Sequence, residues 1–345
     1  MTGVKPTMSD VARTAGVSAM TVSNVLTGRR HVSPATRSRV EQAAAALGYE
    51  LNLTARHLRA GRTDTVALVV PHFDHPYFGE LAARLAALLA AEDRHLVVEQ
   101  TGASREAELA AVSQARWQLY DGVLLSVVGM SAADLDDLHT SVPLVLLGEQ
   151  EMPARYDHVR MDNVAGARLA TAHLLATGSR RIAVVGGADP DPASGMKPAR
   201  TLGWTLAHAD AGTDPAPELL VRAPADLTSG RDAVRRLVAD GIEFDAVFAV
   251  TDTLATGVLA GLAEAGVRVP DDVQVIGFDN LASSEFTVPA LSTVDPGHER
   301  MVTEALRLLD AVARGPAGGA DGGTGAREHV ISPARLVHRA TARAR

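Results

Sequence analysis

From Thr65 onward the chain alternates short, nearly continuous apolar runs with longer Ala- and Leu-rich stretches of helical period. VALVV (66–70) precedes a predicted helix over 77–92, LVVE (96–99) one over 104–119, and GVLLS (122–126) one over 132–138, with LVLL (144–147) closing the series. A second series begins after Asp162. It runs through a helix over 164–176, IAVVG (182–186), a helix over 199–209, LLV (219–221), a helix over 229–239, AVFAV (246–250), a helix over 253–265 and VQVIGF (273–278). Continuous apolar strands alternating with helices predict an α/β fold, a parallel sheet covered on both faces. Two series predict two such doubly wound sheets. The stretch 315–325, GPAGGADGGTG, is expected to be a mobile loop, and 329–337 a final strand.

The first fifty residues follow a different pattern. A helix is expected over 8–15, with Thr7 as its N-cap, Asp10 completing a capping box and Gly16 ending it. Ser18 would cap a second helix over 19–26. Val11, Ala12, Ala15, Val17, Val22 and Val25 form an apolar seam between the two. A third helix is punctuated by Ser33 at its cap, Pro34 at the first helical position and Gly48 at its stop, with Val40, Ala44 and Leu47 on one face. Three short helices of this kind make a helix-turn-helix unit whose second helix is suited to a DNA groove.

Charge supports that division. The whole chain of 345 residues carries a net charge of −8, but residues 1–63 hold nine Lys and Arg against three Asp and Glu, a local balance of +6. The remaining 24 basic and 38 acidic residues give −14. A basic head on an acidic body is expected of a DNA binder, whereas a solvated basic face explains charge alone. The helix punctuation favours the first reading. With 46% hydrophobic residues the chain can bury real cores, and the absence of cysteine excludes disulfides and thiolate metal sites. No leader and no apolar run long enough to span a membrane is seen, so a cytoplasmic protein is expected.

Enzymatic chemistry finds little support. No GxGxxG follows a first strand, no P-loop is present, and VVGGADPDPASG (184–195) lacks the glycine spacing of a dinucleotide loop. No catalytic triad, metal-ligand spacing or isolated carboxylate pair stands out, so neither catalytic residues nor a cofactor nor a metal is expected.

The run SDVARTAGVSAMTVSNVLTGRRHVSPATRSRVEQAAAALGYELNLTARHL resembles the headpiece of the LacI/GalR family of bacterial transcription regulators. The resemblance implies that Ala19 and Met20 read base edges, with Asn24 one turn later, while Thr21, Ser23 and His31 hold phosphates and sugars. The implied DNA-contacting set also takes in Thr7, Ser18, Asn52 and Ala55. Asn24 departs from the family, where arginine is common; asparagine pairs with adenine N6 and N7, not with guanine. Residues 51–63 correspond to a hinge helix and linker, with Leu58 entering the minor groove. An ordinary linker explains the polarity of that segment equally well.

Past residue 64 the resemblance is to the periplasmic sugar-binding fold that the family uses to sense effectors. It is carried by SRRIAVVGG (179–187), RTLGW (200–204), VFAVTDTLATGVLAGLAEAGVRVPDDVQVIGFDN (247–280) and PALSTVD (289–295). The implied domains are a headpiece over 1–50, the hinge over 51–63, and a body over 64–345. The body would divide into one subdomain over 64–162 and 294–325 and another over 163–293 and 326–340. Asp74, Tyr77 and Phe78 are placed at the mouth of a cleft between them, Arg200 at the ligand-clamping position, Asp279 at the hydroxyl-accepting position, and Thr251 after AVFAV. A guanidinium and a carboxylate facing each other across an aromatic-lined cleft suit a neutral polyol or a small polar heterocycle. Departures are Gly148, where an acid is common, Thr251-Asp252 in place of Asn-Asp, and Ala225 in place of an aromatic residue.

The implied function is that of a regulator, a repressor in most of the family, whose operator affinity responds to a small effector, expected to be a carbohydrate. Its partners would be pseudo-palindromic double-stranded DNA and a second copy of the chain, with no membrane. Only a short basic tail follows His338, so a dimer is expected and not a tetramer. A solute-binding protein of the periplasmic type would share the body but have no use for the basic headpiece.

Overall fold

The computed structural model describes residues 6–27, 32–49, 62–113, 119–138, 142–148, 155–191, 193, 195–314 and 327–344. The chain divides into two compact units, Met1–Thr63 and Asp64–Arg345.

In the first unit, α1 (Met8–Ala15), α2 (Ala19–Thr27) and α3 (Pro34–Leu47) enclose Val11, Ala12, Ala15, Val22, Val25, Val40, Ala43 and Ala44. Cap chemistry sets the helix ends. The Asp10 backbone N–H donates to Thr7 Oγ1 at 3.3 Å and the Thr7 N–H donates back to Asp10 Oδ2 at 2.9 Å, a reciprocal capping box. The Thr21 N–H donates to Ser18 Oγ at 3.1 Å and the Thr36 N–H to Ser33 Oγ at 3.3 Å. Gly16 (φ 64°) and Gly48 (φ 60°) end α1 and α3 in the left-handed conformation that glycine adopts without a Cβ penalty. Thr7→Ala removes the cap acceptor and should destabilise α1 by about 1 kcal/mol. Native-state hydrogen exchange of the α1 amides should then be about fivefold faster, and unchanged exchange would deny the cap any energetic role.

The second unit holds two six-stranded sheets. The first orders its strands β11-β5-β4-β3-β1-β2, where β1 is Thr65–Val70, β2 His95–Gln100, β3 Gly122–Ser126, β4 Leu144–Leu147, β5 Asp157–Met161 and β11 His329–Ser332, all parallel. The second runs β12-β10-β9-β8-β6-β7, with β6 at Ile182–Val185, β7 Leu220–Val221, β8 Ala246–Ala249, β9 Gln274–Phe278, β10 Ser292–Asp295 and β12 Arg335–Val337. Only β12 pairs antiparallel among these described strands. The helices α4 (Pro76–Ala90), α5 (Arg105–Ala111), α6 (Ala132–Asp136) and α11 (His298–Arg314) belong to the first lobe. The second lobe carries α7 (Asn163–Ala176), α8 (Met196–Asp210), α9 (Leu227–Ala239) and α10 (Asp252–Glu264). Glycine allows its helices to pack backbone to backbone: a Cβ on Gly257 would lie 2.1 Å from Leu227 O, and one on Gly203 2.3 Å from Val164 O.

Four expectations are corrected. The final strand over 329–337 is two strands, because Pro333 lacks an N–H to continue a ladder; β11 joins the first sheet and β12 the second. The return to the second lobe therefore falls after Ser332 and not at 326, and the passage into the first lobe falls after β10, at Asp295, and not at 294. β5 was not expected, since DHVRM is interrupted by polar residues. Two of them are bonded within the fold: Asp157 accepts from the Glu328 N–H at 2.8 Å and from Arg327 at 2.9 Å, and His158 Nε2 bonds Gly148 O at 3.1 Å.

Candidate nucleic-acid interface and ligand cleft

On the helical unit, the start of α2 is an exposed surface. Ala19 is exposed and Met20 is 69% exposed, an unusual position for a large apolar side chain in so small a domain. Thr21, Ser23 and Asn24 are half-buried along the same helix, and the Ser18 and Thr21 hydroxyls bond each other at 2.9 Å. α2 itself carries no charged residue. It offers an uncharged face of small and polar groups of the width that enters a major groove. Thr7 is exposed but is engaged with Asp10, whose carboxylate it reaches at 2.6 Å. His31, Asn52, Ala55 and Leu58 lie outside the described residues.

In the two-sheet unit, strands of both lobes point their carboxyl ends at a shared cavity of about 560 Å³. Such crevices are where open α/β sheets hold ligands. Tyr77, Phe78 and Leu81 reach it from the first turns of α4, Ser126 and Val127 from the end of β3, Gly148 from the end of β4, Thr251 from the end of β8, and Asp279 from the end of β9. Tyr77 and Phe78 pack edge to face, their ring centroids 5.0 Å apart. Lys197 and Arg200 enter on α8.

Arg200 is 2% exposed and largely committed to protein. Its Nε donates to Asn163 Oδ1 at 2.7 Å, Nη1 to Val250 O and to Asp279 Oδ1 at 3.3 Å, and Nη2 to Met161 Sδ at 3.2 Å. The guanidinium carbon also sits 3.5 Å from the centroid of the Phe278 ring. Arg200 and Asp279 thus stand side by side in one lobe, not opposite each other across the cleft.

Asp279 follows β9 at φ 112°, outside ordinary L-residue space, with Asn280 next at φ 48°. The turn holds because the Asp279 N–H donates to Val294 O at 2.9 Å and the Asn280 N–H to Thr293 Oγ1 at 3.2 Å. Burial pushes the Asp279 carboxyl up to about 6 against the opposing pull of Arg200. Oδ1 meets Arg200, but the buried Oδ2 has no hydrogen-bond partner. An unsatisfied buried acceptor at a cavity wall is a binding group for a hydroxyl or amine.

Behind it, Asp252 is buried as the first residue of α10 and accepts from Leu281 N–H at 2.9 Å, Ser284 Oγ at 2.7 Å and Thr293 Oγ1 at 2.5 Å. Burial, helped by the neighbouring Asp279 charge, pushes its carboxyl up to about 7.

Of the residues predicted for the cleft, Tyr77, Phe78, Arg200, Thr251 and Asp279 all line the cavity, whereas Asp74 is exposed and stands outside the lining. Among the lining residues that the sequence did not point to, three stand out. His75 precedes Pro76 at the start of α4; burial, and then Arg200, lowers its pKa to about 4, and its buried Nδ1 has no partner. Lys197 donates to Ala223 O at 2.8 Å, and Met161 ends β5. The HP pair before two aromatics and the MKP triplet before Arg200 are the local signals for the first two. Gly148 has its own reason to be glycine: it takes φ 138°, and a Cβ there would come within 3.3 Å of Val127 O.

Residues 7–52 match the model of bacterial regulatory proteins of the lacI family, and residues 171–342 that of the periplasmic binding protein-like domain. The HTH-type transcriptional regulator AscG of Escherichia coli (strain K12) is 34% identical over 307 residues, covering 88% of this chain and 90% of that protein. The chain belongs to the LacI family. This LacI-family regulator is also similar to the solved transcriptional regulator CelR–cellobiose complex, at 31% identity and a TM-score of 0.68, with 97% of this chain and 99% of the other covered. The lac repressor dimer bound to operator and the anti-inducer ONPF has a TM-score of 0.77 at 25% identity, covering 98% and 99%. As a LacI-family protein it is a DNA-binding transcription regulator with a body of the periplasmic-binding type. Among the described residues no helix is long and apolar enough to cross a membrane.

Proposed function

We propose that this regulator represses transcription from a pseudo-palindromic operator as a homodimer, and that a carbohydrate bound in its cleft changes its affinity for DNA. The observation that carries the ligand class is the unpartnered, buried Asp279 Oδ2, set beside Arg200 and near an aromatic pair in a cavity of about 560 Å³. A sugar supplies hydroxyl donors for the carboxylate and an apolar ring face for Tyr77 and Phe78. The likeness to a cellobiose-bound regulator and to an operator-bound dimer supports both halves of the reading.

On DNA, Ala19, Met20 and Asn24 read bases while Thr7, Ser18, Thr21, Ser23 and His31 fix register; Asn52, Ala55 and Leu58 act in the hinge. The cleft binds its ligand without turning it over, and the protein works in the cytoplasm, where its DNA is. A coupling of about 1–3 kcal/mol between cleft and DNA changes operator affinity about 5- to 150-fold.

The test is capture of genomic fragments by the purified full chain, with and without the small-molecule fraction of a cell extract. Enrichment of one palindrome, modulated by added sugars, is the expected result. No enrichment under either condition refutes DNA regulation, and enrichment insensitive to every sugar but sensitive to the extract refutes the ligand class.

A further inference from the structure

The turn that carries Asp279 is gripped from both lobes. From its own lobe, Asp252 holds the Leu281 N–H and the Ser284 hydroxyl. From the other lobe, Glu80 on α4 extends across the cleft, and its Oε1 accepts from the Ala282 N–H at 2.7 Å. Ala282 opens the short 3-10 helix Ala282–Phe286, three residues after Asp279. Glu80 is itself braced: Arg84 Nη1 donates to its Oε2 at 3.1 Å, and Arg84 Nε lies 3.5 Å from Glu299 Oε1 on α11. Away from the three passages of the chain between lobes, this charge-assisted bond ties one lobe to the other. It arises one helical turn from Tyr77, and Leu81 beside it lines the cavity.

We propose that Glu80 is a positioning residue that clamps the two lobes together and holds the turn bearing Asp279 in register with the opposite wall of the cleft. Two lobes joined by three extended passages are built to hinge, and an inter-lobe bond on a cavity-lining element sets where that hinge rests. A ligand that engages Asp279 then acts on the same turn that Glu80 grips. The proposal concerns the lobes alone and holds or fails independently of what the protein does on DNA.

The chain has no cysteine, so one label site in each lobe can be introduced without background. Ala91 and Ala211, exposed at the ends of α4 and α8, serve as A91C and A211C in the full chain, read by single-molecule energy transfer. Glu80→Ala removes the acceptor. Ala282→Pro removes the donor and is compatible with the extended Leu281 before it, at φ −61° and ψ 147°.

Each variant should shift the inter-lobe distribution to longer and broader distances, and the double variant should shift it no further. Exchange of the Leu281 amide should quicken about tenfold. Glu80→Gln, which keeps an acceptor oxygen, should restore most of the parent distribution. A role confined to local stability would lower the unfolding midpoint and leave the distance between labels where it was. Unchanged distributions in both Glu80→Ala and Ala282→Pro, or an additive double variant, would overturn the clamp. If one variant fails to fold, the other, acting on the opposite partner, decides.

Discussion

Arg200→Met is expected to destabilise the two-sheet unit by about 3–5 kcal/mol near pH 8, the cost typical of leaving a buried charge without its partner. Methionine fills the space between α8 and Phe278, so the loss is chemical and not a cavity. Four acceptors lose a donor together: Asn163 Oδ1, Val250 O, Asp279 Oδ1 and Met161 Sδ. Most of the penalty belongs to Asp279, and it depends on pH.

With Arg200 present, burial raises the Asp279 carboxyl to about 6, above its usual value in an unfolded chain. The folded state therefore binds the proton more tightly, and the contribution of this group to stability falls as pH rises through the window between about 4 and 6. Removing the guanidinium takes away the main influence that lowers this pKa and extends the window upward. Urea unfolding should show the variant far weaker at pH 8 and much closer to the parent at pH 5, where Asp279 is protonated in both. A deficit independent of pH would mean that the packing over Phe278, and not the ion pair, is what Arg200 contributes.

Met20→Gln is expected to leave the fold intact and change what the protein reads. At 69% exposure the side chain contributes little to the headpiece core, so unfolding should move by no more than about 0.5 kcal/mol. In a major groove, a thioether meets apolar groups such as the thymine methyl, whereas a carboxamide pairs with adenine N6 and N7. Affinity for the parent operator should fall about 5- to 150-fold, and a library selection should recover sites altered at one symmetric position. On the proposed assignment of Thr21 to a phosphate, Thr21→Ala should by contrast weaken all sites together, because such a contact carries no sequence information. A uniform loss in Met20→Gln would remove it from base readout.

What was legible in the sequence was local chemistry. The limits of α1 and α3 follow from Thr7, Asp10, Gly16, Ser33, Pro34 and Gly48, each acting within four residues of itself, and the strands β1, β3 and β4 are unbroken apolar runs. β5 was hidden because Asp157 and His158 are satisfied by Arg327, Glu328 and Gly148, two of them 170 or 171 residues away. The break at Pro333 was misread for a similar reason: apolar residues on both sides look like one strand until two different sheets claim them. In the cleft, Tyr77, Phe78, Arg200, Thr251 and Asp279 were placed by resemblance and do converge. His75 and Lys197 carry only weak local signals, the HP and MKP runs, and what makes them lining residues is their place in the folded cleft. The expectation that Arg200 and Asp279 face each other across the cleft fails, since whether two charges face or touch each other is a property of the β9 turn, and here they touch within one lobe.

The strand inventory also orders events in time. The helical unit closes its core with residues 8–49, whereas each sheet of the larger unit takes a strand from beyond residue 328. During synthesis, which proceeds at about 5–20 residues per second, the DNA-reading unit has all its parts well before either lobe can be completed. A nascent chain thus owns its reader while the sensor that governs it is still being made. Premature termination before β11 would release the one without the other.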